Sequence, residues 1–137
     1  MKVLIDTNVL ISAALNPAGN AAKAFFKATE SPYESVLCDY CVDEFKRIVR
    51  NKLSKYISDV DTFLATALVT AQVITTAPDD ESVFEEAEIR DPKDQPIIRA
   101  TVNAKVDIIL TGDKDFLESG IKKPRMLSPT EFLKLKK

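Results

Sequence analysis

Acidic residues at the ends of short apolar runs are what this sequence offers for chemistry. They are Asp6 in Asp6-Thr7-Asn8, Glu44, Asp94 in Asp91-Pro92-Lys93-Asp94, and Asp113 with Asp115 in Thr111-Gly112-Asp113-Lys114-Asp115-Phe116. Histidine is absent, which excludes the Ser-His-Asp triad, the Cys-His pair and the HExxH zinc site. Two cysteines leave a tetrahedral structural zinc site short of ligands within one chain. With only 3 glycines there is no Walker A loop and no GxGxxG turn. Chemistry falls to carboxylate, lysine, hydroxyl and one pair of thiols.

Several carboxylates in one small pocket cannot all ionise cheaply, because two unit charges 4 Å apart repel by roughly 4 kcal/mol at an effective dielectric near 20. They need raised pKa values or a cation. An all-oxygen set suits Mg²⁺ or Mn²⁺ rather than zinc or copper. One or two such ions can activate water and stabilise the leaving oxygen of a phosphodiester, with no imidazole required. Each acid also has a purely structural reading. Asp6 can cap a helix, Asp94 can complement a helix macrodipole, Asp113 suits a turn, and Glu44 suits a solvated helix face. Cys38-Asp39-Tyr40-Cys41 at a strand-to-helix junction is where a thioredoxin-like redox pair would sit, and it equally suits two buried small apolar residues.

The elements that must position these residues follow from the apolar pattern. The 137 residues, 45% hydrophobic and 29% charged, make one domain with a sizeable core, 1–137. No apolar run is long enough to span a membrane. Asp6 interrupts any signal-peptide core, so a cytoplasmic location is expected. Short apolar runs alternating with helical patterns predict a mostly parallel α/β sheet. The predicted strands are Lys2–Ile5, Glu34–Cys38, Gln72–Thr75, Val106–Leu110 and Arg125–Leu127. Helices are predicted over Asn8–Leu15, over Asn20–Glu30 with Ala21, Ala24, Phe25 and Ala28 inward, and over Tyr40–Asn51 with Asp39 as cap. A further helix is expected from a capping box at Ser58-Asp59-Val60-Asp61 to about Ala71, with a short one in 79–90. The next runs from Pro96 to about Lys105, and the last from Ser128-Pro129-Thr130 to Leu135. In such sheets sites form beyond the carboxyl ends of the strands, at the topological switch. That end can gather Asp6, Glu44, Asp94 and Asp113, with Asp115 close by.

The order and spacing of these motifs, down to the closing Ser128-Pro129-Thr130-Glu131-Phe132-Leu133, resemble the PIN domain family, and within it the VapC-like group of prokaryotic toxin–antitoxin toxins. The resemblance implies a three-layer α/β/α sandwich and a ribonuclease dependent on Mg²⁺ or Mn²⁺. Carried over by position, Asp6, Glu44, Asp94 and Asp113 match the family's acids, Asp115 a frequent additional one, Thr111 a hydroxyl near the site, and Asn8 the polar residue that orients the first aspartate. It further implies a homodimer and an antitoxin partner. An acidic pocket repels RNA phosphates, so basic residues must flank it. Lys46, Arg47 and Arg50 crowd the helix that carries Glu44, and Lys114, Lys122, Lys123 and Arg125 form a second edge. Three alternatives stay open: RNA processing without an antitoxin, a non-catalytic RNA-binding or assembly module, and the thiol redox protein.

Overall fold

A computed structural model describes residues 1–75 and 95–135. Five parallel strands form one sheet in the order β3-β2-β1-β4-β5. They are β1 (Lys2–Ile5), β2 (Glu34–Cys38), β3 (Gln72–Ile74), β4 (Ile108–Leu110) and β5 (Arg125–Leu127). The helices are α1 (Thr7–Leu15), α2 (Asn20–Ala28), α3 (Asp39–Lys52), α4 (Ile57–Thr70), α5 (Gln95–Asn103), α6 (Lys114–Leu117) and α7 (Pro129–Leu133), with a 3₁₀ turn at Ser54–Tyr56.

The central strand β1 is apolar without alternation because helices cover both faces of the sheet. Side chains still alternate in direction. Val3 and Ile5 join Leu37, Ile108 and Leu110 on one face, packed against Phe25, Phe45 and Phe132 of α2, α3 and α7. Leu4 joins Val36 and Ile109 on the other face, packed against Ile97, Ile98 and Phe116 of α5 and α6. The sandwich therefore has three layers, as expected. From β1 the chain builds outward through β2 and β3, then returns to β1's other side for β4 and β5. The switch point lies between β1 and β4, where the chain delivers Asp6 and Thr111.

Several local expectations are refined. Helix α1 begins at Thr7, because the Asp6 side chain itself accepts the Thr7 N–H. On α2 it is Ala22, not Ala21, that is fully buried beside Ala24, Phe25 and Ala28. Asp39 is the first residue of α3 rather than its cap, and Cys38 occupies the cap position, where its side chain makes no capping bond to the helix backbone. The capping box at Ser58 does not form. The 3₁₀ turn runs directly into α4 at Ile57, so Ser58 is already helical and its carbonyl accepts from Thr62 Oγ1 at 3.0 Å. A short helix, α6, occupies part of what reads as loop, with Asp113 as its cap. The helix expected in 79–90, and Asp91 and Asp94, lie outside the described residues. Among the described residues no helix is long and apolar enough to cross a membrane.

The cap expected at the last helix is present and is a full capping box: Ser128 Oγ accepts the Glu131 N–H at 3.1 Å, and Glu131 Oε1 accepts the Ser128 N–H at 3.0 Å. Ser128→Ala should lower stability by about 1 kcal/mol while Ser128→Asp stays within a few tenths, read as urea midpoints. Equal midpoints for Ala and wild type would show that the cap contributes nothing.

Candidate active site

The β1–β4 ladder pairs Ile5 with Leu110 and runs one residue further, with the Asp6 N–H donating to the Leu110 carbonyl at 3.0 Å. Asp6 thus stands opposite Thr111. On the β5 side the Thr111 N–H donates to the Leu127 carbonyl at 2.9 Å, which fixes the Thr111 backbone to the sheet. Both side chains are buried. The Thr111 hydroxyl donates to Asp6 Oδ2 at 2.8 Å and accepts the Asp113 N–H at 3.0 Å. One hydroxyl therefore links the first acid to the backbone of the second.

Asn8 adds a second link. Its amide nitrogen donates to Asp6 Oδ2 at 3.3 Å, and its carbonyl oxygen accepts the Gly112 N–H at 3.0 Å. The start of α1 is thereby tied to the loop after β4, and the amide's orientation is set by what each end meets. The other Asp6 oxygen, Oδ1, accepts the Thr7 N–H at 2.8 Å and lies 3.9 Å from Cys41 Sγ. Asp113 Oδ1 accepts the Asp115 N–H at 2.8 Å, which places Asp115 in the same turn.

Burial pushes the Asp6 carboxyl up from 3.8 to about 6. The Thr111 and Thr7 hydrogen bonds oppose that rise, and the charges of Glu44 and Asp113 add to it. Desolvation therefore outweighs good hydrogen bonding, and two further carboxylates are near enough to be felt. Glu44, on α3, is partly exposed and pairs with Arg47 at 3.7 Å. Arg47 is mostly in solvent, so the pair itself adds little stability.

The structure brings together Asp6, Asn8, Thr111 and Asp113 by direct bonds, Asp115 by its backbone, and Glu44 through its charge. Helix geometry separates the basic residues that look clustered in sequence. Arg47 follows Glu44 on one face, while Lys46 and Arg50 are rotated from Glu44 by roughly 200° and 240°. Those two line a groove of about 340 Å³ with Phe45, Val49 and Asp61. Asp94 is outside the described residues. Among the described residues no three acid or thiol groups converge tightly enough to enclose an ion. The donors at hand are nonetheless all oxygen, and a buried carboxylate pressed by two like charges is what a hard divalent cation relieves.

Sequence reasoning did not place Cys41 and Thr7 here. Thr7 Oγ1 donates to the Cys41 carbonyl at 3.2 Å, joining α1 to α3. The signal available was spacing, since Cys41 precedes Glu44 by one helical turn. Both cysteines are buried, and neither is in a disulfide. A hydrogen bond with Cys38, burial and the Asp6 charge push the Cys41 thiol well above its ordinary range. A redox nucleophile needs the opposite shift.

The Asp6 shift has a stability consequence. A carboxyl whose folded value is raised stabilises the fold fully below its ordinary value and loses that contribution as pH rises through the folded one. The window here runs from 3.8 to about 6, and the loss is about 3 kcal/mol. In metal-free protein, Asp6→Asn should therefore gain on wild type as pH goes from 4 to 7, measured by urea unfolding with EDTA. A difference between the two proteins that does not change with pH would refute this.

Comparison with known proteins agrees with this geometry. A family profile described as PIN domain matches residues 2–115. An uncharacterised protein of Methanocaldococcus jannaschii is 32% identical over 120 residues, covering 85% of this chain and 74% of its own length. A chain in the crystal structure of VapBC2 from Rickettsia felis, bound to a DNA fragment from their promoter, shares the fold with a TM-score of 0.67 at 15% identity, covering 93% of this chain and 98% of that one. With the acidic switch point, the parallel five-stranded sheet and a family match over most of its length, the chain belongs to the PIN domain family.

Proposed function

We propose that this protein is a ribonuclease that hydrolyses RNA phosphodiester bonds with Mg²⁺ or Mn²⁺ and acts as the toxin of a type II toxin–antitoxin pair. PIN domains are in general nucleases that use divalent cations, which supports the reaction class. The observation that carries the reading is the buried Asp6 carboxylate at the switch point, bonded by Thr111 and Asn8, its pKa raised by burial first and then by the charges of Glu44 and Asp113. Asp6, Asp94 and Asp113 would hold the cation, with Glu44 and Asp115 beside them. When bound, it supplies charge neutralisation at the phosphate and activation of water.

The chain's own residues do the rest. Thr111 and Asn8 keep the Asp6 carboxylate from turning, and the sheet keeps Thr111 in place. Glu44, partly exposed and with its charge felt at Asp6, would orient the attacking water or help hold a second ion. Arg47, on the face of Glu44, supplies positive charge for a phosphate. Lys46 and Arg50 extend that charge around α3. A single-stranded RNA loop is the target class, because its bases are accessible.

The antitoxin assignment rests on the likeness to VapBC2. A groove of about 470 Å³ lined by Leu15, Pro17, Phe26, Phe63 and Thr66 offers apolar surface to such a partner. A homodimer belongs to the same proposal.

Asp6→Asn and Asp113→Asn should each lower RNA cleavage on the order of 10²–10³-fold or more, with circular dichroism and fluorescence unchanged. Asp6→Asn protein that cuts a mixed RNA pool as fast as wild type with Mg²⁺ present would sink the assignment. Arg47→Ala should weaken RNA binding and flatten the log–log salt dependence by about 0.7 for each phosphate that Arg47 neutralises. An unchanged slope would remove Arg47 from the RNA surface.

A further inference from the structure

Among the described residues, Cys41 is a close neighbour of Asp6 with no role in the proposed reaction. Cys41 lies in the first turn of α3, and its sulfur is 3.9 Å from Asp6 Oδ1. Its carbonyl accepts from the Thr7 hydroxyl at 3.2 Å. The first turns of α1 and α3 are therefore joined at one residue by both backbone and side chain. Cys41 and Thr7 are buried, so water does not compete for either link.

The two Asp6 oxygens receive different partners. Oδ2 is held by Thr111 and Asn8, which come from β4's end and from α1. Oδ1 is held by the Thr7 N–H, again from α1, and faces the Cys41 thiol from α3. Cys41 is thus the contact through which the helix bearing Glu44 touches the carboxylate. Glu44 follows three residues later, about 4.5 Å along the same helix axis. The placement of Glu44 relative to Asp6 depends on where this first turn is anchored, since its other bonded partner is the exposed Arg47.

We propose that Cys41 is a positioning residue of the acidic site: its S–H donates to Asp6 Oδ1 while its carbonyl takes the Thr7 hydroxyl, and together they set the distance between Asp6 and Glu44. The inference rests on the ribonuclease reading, because the acids it positions are the ones that reading uses. An S–H is a weak donor, so its effect is on geometry more than on stability. The rival account is packing, in which the Cys41 thiol hydrogen-bonds Cys38 rather than Asp6 and a small side chain fills space in the core on that face of the sheet.

Three substitutions separate these accounts. Cys41→Ala removes the donor and some volume, Cys41→Val fills the space without a donor, and Cys41→Ser restores a donor. Mn²⁺ binding by calorimetry, RNA cleavage at saturating and limiting RNA, and urea midpoints are measured for all three and for wild type. Positioning predicts about 10-fold weaker Mn²⁺ binding for Ala and Val, a lower kcat with unchanged KM, and recovery in Ser. Packing predicts that Val matches wild type and that losses follow the urea midpoints. Wild-type metal affinity and kcat in Val would overturn the proposal and leave the ribonuclease reading intact. Wild-type protein that neither binds Mn²⁺ nor cuts RNA would overturn both.

Discussion

A carboxylate buried at the end of the central strand is the constraint around which this molecule is arranged. Asp6 sits where water cannot solvate it, and burial raises its pKa against the pull of good hydrogen bonds. A fold tolerates such a group only by supplying donors from several directions. Here they come from the start of α1, from the strand end beside it and from the first turn of α3. The donors come from three elements, two of them from α1, so the carboxylate acts as the meeting point of the sheet and its flanking helices.

Parallel topology makes that arrangement possible. Strands β1 and β4 are far apart in sequence yet hydrogen-bonded neighbours, and the register that pairs Ile5 with Leu110 brings Thr111 opposite Asp6. The hydroxyl then reaches across 105 residues of chain to the carboxylate. In an open sheet only the switch point leaves space between loops that diverge in opposite directions. The acids collect there for a geometric reason before any chemical one.

How much of this could be read from the residues varied with the range of the interaction. Strand β5 and the cap at Ser128 were legible, because each depends on a few adjacent residues. The short helix after Asp113 was not, since a four-residue helix has almost no periodicity to detect. Ser58 misled for a related reason: its neighbours imitate a cap, but the 3₁₀ turn upstream had already supplied the helix start. The motifs single out Asp6, Asn8 and Thr111, and the structure joins the three by hydrogen bonds. The contact of Cys41 with Asp6 was not legible, because spacing puts Cys41 and Glu44 on one face of α3 without saying that this face turns toward β1.

The amino-acid sequence alone determined the element order, the absence of imidazole chemistry, and a set of acids confined to oxygen ligation. Those properties reside in composition and in patterns a few residues long. Tertiary structure alone decided that Asp6 would be desolvated, that Thr111 and not another hydroxyl would bond it, and that the face of α3 carrying Cys41 would turn toward Asp6. Those outcomes depend on strand register and helix rotation, which are set by packing across the whole core.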